Sequence, residues 1–409
     1  MYFHAPFFYN VFGIMLYGKD MKMKTKIGII GVGNMGRSHA KQIFGDKVPH
    51  MELGAVCDND PAQLDWCTEN LPGIAQFASA EELMDSGLVD SVLIAVPHYD
   101  HEKYTIAALE RGLHVYCEKP VAVYTKQSLA MNEVAKKSGK VFAVGFQQRT
   151  NPAFGKIREM VQSGELGHIK KVVWIVTDWY RPQAYHDSSS WRSSWKGEGG
   201  GTIVNQNPHN IDLFQWMFGM PDEVMSVIDY GKYYNIEVDD DVNVIMRYNS
   251  GTIGVYTTST GEIPGTNRLE VSADMGKLVY ENNKLTFWKN EISERELNEK
   301  NRAAFVDPKT EKIEIEIPAL GMHPHCALLE NFALAISEGT PLLAPGVDGI
   351  NELTLANSFY YSDWLGQKWV KTAEFDHEGF YRALTEKIEK STHVKNAVRK
   401  AEVNMENSF

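Results

Sequence analysis

Cysteine, positive charge and long apolar runs are all scarce in this chain. Its 409 residues hold four cysteines, Cys57, Cys67, Cys117 and Cys326, with no CxxC spacing among them. That argues against a disulfide frame or a cysteine zinc site and points to reduced thiols in a cytoplasmic protein. Lys and Arg number 41 against 53 Asp and Glu, a formal net charge of -12. The basic face that sequence-independent nucleic-acid binding needs is therefore missing. The aromatic stretch over residues 1–20 has no Lys or Arg ahead of its apolar part, is broken by Asn10 and lacks a small-residue cleavage site. It is too short to span a bilayer, so no membrane partner is expected, and it reads as an upstream start or a loose arm before Met21 or Met23. No internal repeat or low-complexity linker occurs. At 43% hydrophobic and 23% charged residues, the rest has the profile of a globular enzyme of two domains.

The most informative segment is Ile27–Gly36, a short apolar strand running into Gly31-Val32-Gly33-Asn34-Met35-Gly36. In a Gly-x-Gly-x-x-Gly turn the first glycine makes the bend and the second lets a pyrophosphate approach the backbone. The third lets the next helix pack on the strand, while Asn34 and Met35 open that helix with free N–H groups. A second apolar strand, Leu53–Cys57, ends at Asp58, where a ribose-binding carboxylate belongs. This spacing predicts an NAD site. NADP is less suited, since its 2′-phosphate would face the like charge of Asp58 and Asn59-Asp60-Pro61 offers no Arg to receive it.

Strand and helix patterns alternate from Thr25 to Phe146, with strands expected at Lys26–Ile30, Glu52–Cys57, Ser91–Val96, His114–Cys117 and Val141–Phe146. They are nearly all apolar, as strands buried on both faces are. The fold class read from this is α/β: a doubly wound parallel sheet over 25–146, behind an extension over 1–24 expected to be disordered. Over 147–370 the segments Ile169–Tyr180, Val238–Tyr248, Thr252–Thr260, Leu269–Ala273, Lys277–Tyr280 and Lys312–Ile317 alternate in polarity, which predicts a large, mostly antiparallel open sheet. Helices are expected around Pro152–Gln162, up to Phe218, and at Cys326–Ser337 and Gly349–Trp364, the last of these packing back on the first domain. The charged tail over 371–409 reads equally as an extra helix or a loose end.

Two further segments carry chemistry. Strand five ends in Glu118-Lys119-Pro120, beyond which an open α/β sheet binds its ligands. Lys119 there can stabilise negative charge on a reacting oxygen; the plainer alternative is a surface lysine. Glu118 belongs with Lys119 among the cofactor contacts, together with Ala95-Val96-Pro97 at the end of strand four. The second segment runs Gly199-Gly200-Gly201 to Asp212. If helical, it places Asn205, His209 and Asp212 on one face, with Pro208 bending or opening the helix. His209 there is either a general base or a hydrogen-bonded core histidine.

These motifs together, Gly31-x-Gly33-x-Met35-Gly36-x-x-His39, Glu118-Lys119-Pro120, and the triple glycine followed by His209 and Asp212, resemble the Gfo/Idh/MocA oxidoreductases over about Lys26 to Trp369. That family includes glucose–fructose oxidoreductase and inositol dehydrogenase. The resemblance implies that Lys119 and His209 are catalytic and that Asp212 binds a substrate hydroxyl. Asn205 then falls at a catalytic position where inositol dehydrogenase-like members carry Asp. It also implies a homodimer or homotetramer built through the second sheet, a role that Val244, Met246, Val255 and Tyr256 would serve on its outer face.

The expected reaction is oxidation of a secondary alcohol of a sugar, glycoside or cyclitol, with His209 taking the hydroxyl proton and Lys119 holding the alkoxide. Arg181, Tyr185, Trp191 and Arg192 offer the rings and donors that suit such a substrate, and Gln147 and Arg149 are placed to face the same cleft. The alternatives are a glycosidase-like enzyme that oxidises transiently on a tightly held NAD, or a non-catalytic NAD-binding regulator. Asp239-Asp240-Asp241 reads as a solvated strand start. His323 and His325 lack a third ligand nearby, so no metal is expected.

Overall fold

The computed structural model describes residues 24–306, 308–396 and 398, so nearly all of the 1–24 extension lies outside the described residues. Apolar runs become the strands of a six-stranded parallel sheet: β1 (Thr25–Ile30), β2 (Met51–Cys57), β3 (Ala75–Phe77), β4 (Ser91–Ile94), β5 (His114–Cys117) and β6 (Phe142–Val144). Their order is β3-β2-β1-β4-β5-β6, so the topology switches direction between β1 and β4, and the cleft beyond their carboxyl ends is the natural ligand site. The crossovers are α1 (Asn34–Phe44), α2 (Pro61–Asn70), α3 (Ala80–Asp85), α4 (His101–Glu110) and α5 (Thr125–Ser138). Ser79 caps α3 by accepting the Glu82 N–H, and Gly139 ends α5 in the left-handed region at φ 64°.

The chain then passes through α6 (Pro152–Gln162), β7 (Ile169–Val176), α7 (Gln183–His186) and α8 (Pro208–Phe218) into β8 (Glu223–Tyr230), β9 (Asp239–Arg247), β10 (Ile253–Ser259), β11 (Asn267–Ala273), β12 (Gly276–Glu281) and β13 (Lys284–Asn290). It continues through α9 (Glu294–Lys300), β14 (Thr310–Ile315), α10 (Pro324–Glu338), α11 (Gly349–Trp364), β15 (Val370–Lys371) and α12 (His377–Lys390). Nine strands join in the order β14-β13-β12-β11-β7-β10-β9-β8-β15. Only β7 and β10 pair in parallel; every other neighbour is antiparallel.

Helices α6, α8 and α11 cover one face of this sheet. Trp174, Phe214, Tyr256 and Phe359 meet between the layers, with Trp174 and Phe214 centroids 6.5 Å apart and Tyr256 and Phe359 6.4 Å apart. Val244, Met246 and Tyr256 therefore face this core, not the outer surface, because period-two alternation puts Ile245, Val227 and Val255 on the open side. Helix α10 returns to the first domain, where Phe332 packs on Tyr116 at 5.8 Å. Helix α11 starts against Val121 of the first domain and ends under β8 of the second.

Short β3 and edge strand β15, together with β8 and β13, go unread in the sequence. β8 and β13 lie in segments where charged and apolar residues mix, and their identity is settled by pairing with β9 and β12. The aspartate run opens β9, but it is buried: Asp239 and Asp240 are 1% and 0% exposed. Their oxygens cap backbone N–H groups, Asp239 at Gly201 (2.7 Å) and Ile203 (2.8 Å), Asp240 at Lys232 (3.0 Å) and Tyr233 (2.8 Å).

Candidate active site

The Gly31–Gly36 turn sits at the switch point and is shaped for a dinucleotide. Gly31 has φ +92°, and a Cβ there would stand 2.6 Å from the Ala95 carbonyl oxygen. Gly36 lies flush on the Gly31 carbonyl, while a Cβ on Gly33 would enter open space, the space a phosphate needs. Helix α1 has no side-chain cap, so the N–H groups at its exposed start, from Asn34 and Met35, are left for an anion. Asp58 is fixed beside the turn by accepting the Val32 N–H at 2.7 Å and the Asp60 N–H at 2.9 Å. Ala95, Val96 and Pro97 form the opposite lip, partly or fully exposed. These residues fit the pyrophosphate and adenosine ribose of NAD.

Beneath the far end of the cleft, His39 Nε2 and Glu118 Oε1 are 2.7 Å apart and buried. Burial would raise the Glu118 carboxyl, but the His39 hydrogen bond and the neighbouring positive groups outweigh it and hold the pKa at about 2. Its other oxygen accepts the Lys119 N–H at 3.1 Å, which fixes the turn that carries the lysine. His325 joins from α10, so the ligand-type atoms of His39, Glu118 and His325 fall within 4.8 Å of one another. Spacing along the chain pairs His325 with His323, whereas the fold groups His325 with His39 and Glu118. A cation would have to open the existing His39–Glu118 bond to enter.

Lys119 reaches across to the second domain, where its Nζ donates to the Asn205 carbonyl at 3.0 Å. Burial and the nearby guanidinium of Arg192 lower its pKa, against the pull of Glu118. His209, second residue of α8, is 1% exposed, with Gln147 Nε2 3.1 Å from its Nε2 and no partner at Nδ1. Burial first, and then the Lys119 charge, keep its pKa well below the usual histidine value, so the imidazole is neutral and able to accept a proton.

Asn205 does not share a helix face with His209. Residues Thr202–Gln206 form a wider π-turn, and α8 starts at Pro208, whose missing N–H suits a first helical position. That turn is pinned by Asp239 beneath it, and Gly201 approaches so closely that a Cβ would lie 2.2 Å from the Asp239 carbonyl oxygen. Asp212 and Arg149 meet each other instead of the cleft. Arg149 donates to Asp212 twice, at 2.7 and 2.8 Å, and to Asp348 at 3.3 Å, while Gln215 adds a bond to Asp212 at 2.9 Å. Both side chains are 1% exposed. This departs from the expectation that each binds substrate.

Around the phenol of Tyr185 gather three other expected substrate residues, Arg192 directly, Arg181 over its ring and Trp191 one step out. Tyr185 Oη receives Arg192 Nη1, Asn205 Nδ2 (3.2 Å) and Gln206 Nε2 (2.6 Å), and Gln206 in turn accepts Arg181 Nε at 2.9 Å. Trp191 lies beside them, 4.8 Å under Arg192 and 5.7 Å from His98. Gln206, Glu198 and Glu352 are additions that the sequence reading did not select. Glu352 is 0% exposed with neither oxygen partnered, and burial together with the Asp212 charge raises its carboxyl well above the usual range. The only signal for it in the sequence is one acid within the apolar run of α11.

Comparison with known proteins identifies both halves of the chain. Residues 25–146 match the oxidoreductase family's NAD-binding Rossmann fold, and residues 154–279 match the GFO/IDH/MocA C-terminal domain. The inositol 2-dehydrogenase of Corynebacterium glutamicum (strain R) is 29% identical over 238 residues, 57% of this chain and 66% of that protein, just under two thirds of the relative's length. The myo-inositol 2-dehydrogenase of Thermotoga maritima is 26% identical over 267 residues, 63% of this chain and 75% of that one. The WlbA dehydrogenase of Chromobacterium violaceum, solved in complex with NADH and UDP-GlcNAcA, has the same fold: TM-score 0.74, 24% identity, covering 88% of this chain and 99% of that one. Two family models that together span most of the chain thus match its two sheets, and the chain is a member of the Gfo/Idh/MocA family of NAD-binding oxidoreductases.

Proposed function

We propose that this chain is an NAD-dependent dehydrogenase oxidising a secondary alcohol of a cyclitol or sugar, or reducing the matching ketone. One observation carries this: a neutral, buried His209 and the ammonium of Lys119 stand together beyond the carboxyl end of β5, in the same sheet whose β1 runs into the Gly31–Gly36 cradle. NAD, when bound, supplies the hydride acceptor. Gln147 follows β6 on the cofactor-binding side, so the nitrogen it touches, His209 Nε2, faces that domain. A substrate hydroxyl displacing the Gln147 amide would give its proton to Nε2, while Lys119 stabilises the oxygen as charge develops. The Arg149–Asp212 pair braces α8 from behind. Tyr185, Arg181, Arg192 and Trp191 present rings and donors to a polyhydroxylated substrate. The inositol dehydrogenases among the relatives support the substrate class.

The test is a panel of cyclitols, sugars and glycosides with NAD and NADP, read at 340 nm and by mass spectrometry for keto products. A keto product formed with stoichiometric NADH supports the reading. Release of an aglycone with no net NADH would overturn it in favour of transient oxidation.

A further inference from the structure

Glu198 has no part in the mechanism above, yet it sits within the same wall of the cleft. It precedes the triple glycine and is 1% exposed. Its Oε2 accepts the Ser193 N–H at 2.5 Å, and its Oε1 accepts the Asn205 side-chain amide and lies 3.7 Å from Arg192 Nη1. Asn205 passes the connection on, with its amide to Tyr185 Oη at 3.2 Å and its carbonyl to Lys119 Nζ at 3.0 Å. One buried acid therefore touches, directly or through one residue, the substrate loop and the reacting lysine.

Pairing at this acid is incomplete. Arg192 stands beyond hydrogen-bond distance, and the remaining donors are neutral. The other groups facing it are Lys395 from the C-terminal segment, which donates to the Ser189 and Arg192 carbonyls, and His98 of the first domain, whose Nδ1 meets the Glu198 carbonyl at 3.0 Å. His186 stands behind Ser193 Oγ at 2.8 Å. Burial raises the carboxyl to about 7 against the opposing pull of Arg192, the two hydrogen bonds and Lys395.

The two protonation states cannot hold Asn205 alike. A carboxylate accepts the amide N–H. A protonated acid turns one of its two oxygens into an O–H donor and keeps only part of its acceptor capacity, so its hold on the Ser193 N–H and the Asn205 amide weakens, and with it the placing of that amide against Tyr185. We infer that Glu198 is the ionisable positioning residue of this site, supplying beside Asn205 the carboxylate that position 205 lacks and, when ionised, locking Asn205, Tyr185 and Arg192 for substrate. This rests on the dehydrogenase reading for its catalytic consequence, though not for the titration itself.

The experiment compares the full chain with Glu198→Gln and with the exchange pair Glu198→Gln/Asn205→Asp, using the best polyol from the panel. For the wild type, 1/KM should rise with pH through a midpoint near 7. Glu198→Gln should abolish that midpoint and raise KM about tenfold at pH 8, with a smaller fall in kcat and unchanged NADH affinity. The exchange pair should recover a pH-dependent KM, since it restores one carboxylate across the contact. A second readout needs no substrate: the fluorescence of Trp191, taken as wild type minus Trp191→Phe, should titrate near pH 7 and lose that titration in Glu198→Gln. If Glu198→Gln keeps both the profile and the titration, the inference is overturned while the dehydrogenase stands. If no polyol or sugar is turned over, that reading falls, and the fluorescence titration still decides the role of Glu198.

Discussion

Lys119 and His209 influence each other before any substrate arrives, since the lysine's charge helps keep the imidazole neutral. Removing the base, His209→Ala, should lower turnover by about 10²–10⁴. Lys119→Met should lower it by about 10²–10³, by analogy with losing one oxyanion donor. Because both act on one oxygen, the double variant should lose less than the product, with NADH affinity retained in all three by fluorescence titration. Arg149 and Asp212 respond differently. Arg149→Ala leaves a buried carboxylate unpaired and should cost about 3–5 kcal/mol in urea unfolding, whereas the double variant with Asp212→Leu should recover much of it. Lys119 has positional meaning in the sequence as a residue at a strand end, whereas His209 reads equally as a base or a core histidine until the family resemblance is added. Arg149 and Asp212 look the same as cleft residues until the fold brings them together from 63 positions apart. The Asp239 run misleads for the same reason: its partners are backbone groups of other segments.

At the scale of elements, strand ends matter most. Asp58 at the end of β2 is held by the Val32 and Asp60 N–H groups, and we propose that it meets the adenosine ribose from that position. NAD should therefore give the higher kcat/KM, and Asp58→Ser should narrow the gap with NADP, measured with both cofactors on one substrate. Glu118 at the end of β5 makes a pH prediction. Its folded pKa, about 2, lies below the ordinary 4.5, so its contribution to stability is complete above pH 4.5 and is lost as pH falls from there toward 2. In thermal melts across that window, Glu118→Gln should show a flatter decline than the wild type. The parallel sheet was legible because unbroken apolar runs announce doubly buried strands. The start of α8 was legible only in part: proline marks an irregularity, but whether the chain bends or begins anew there depends on Asp239 anchoring the preceding turn.

For the whole molecule, the open face of the nine-stranded sheet carries Val227, Ile245 and Val255 beside Arg247 and Glu270, with no helix over it among the described residues. We propose that a second copy covers this face in a homodimer or homotetramer. Light scattering at micromolar concentration should show more than a monomer, and Ile245→Lys with Val255→Lys should reduce it to one. No helix among the described residues is long and apolar enough to cross a membrane.

The return of α10 and α11 also bears on how the chain comes to be folded. Leu329, Phe332 and Leu353 belong to the same buried cluster as Ile29 and Val115 of the first sheet. Leaving the ribosome from its amino end, the cofactor-binding half is complete in strands long before those residues exist. Its last apolar surface must wait, open, while strands β7 to β14 of the second sheet are synthesised. Vectorial folding, in which each half finishes in turn, is thus closed to this chain: the half made first is sealed last.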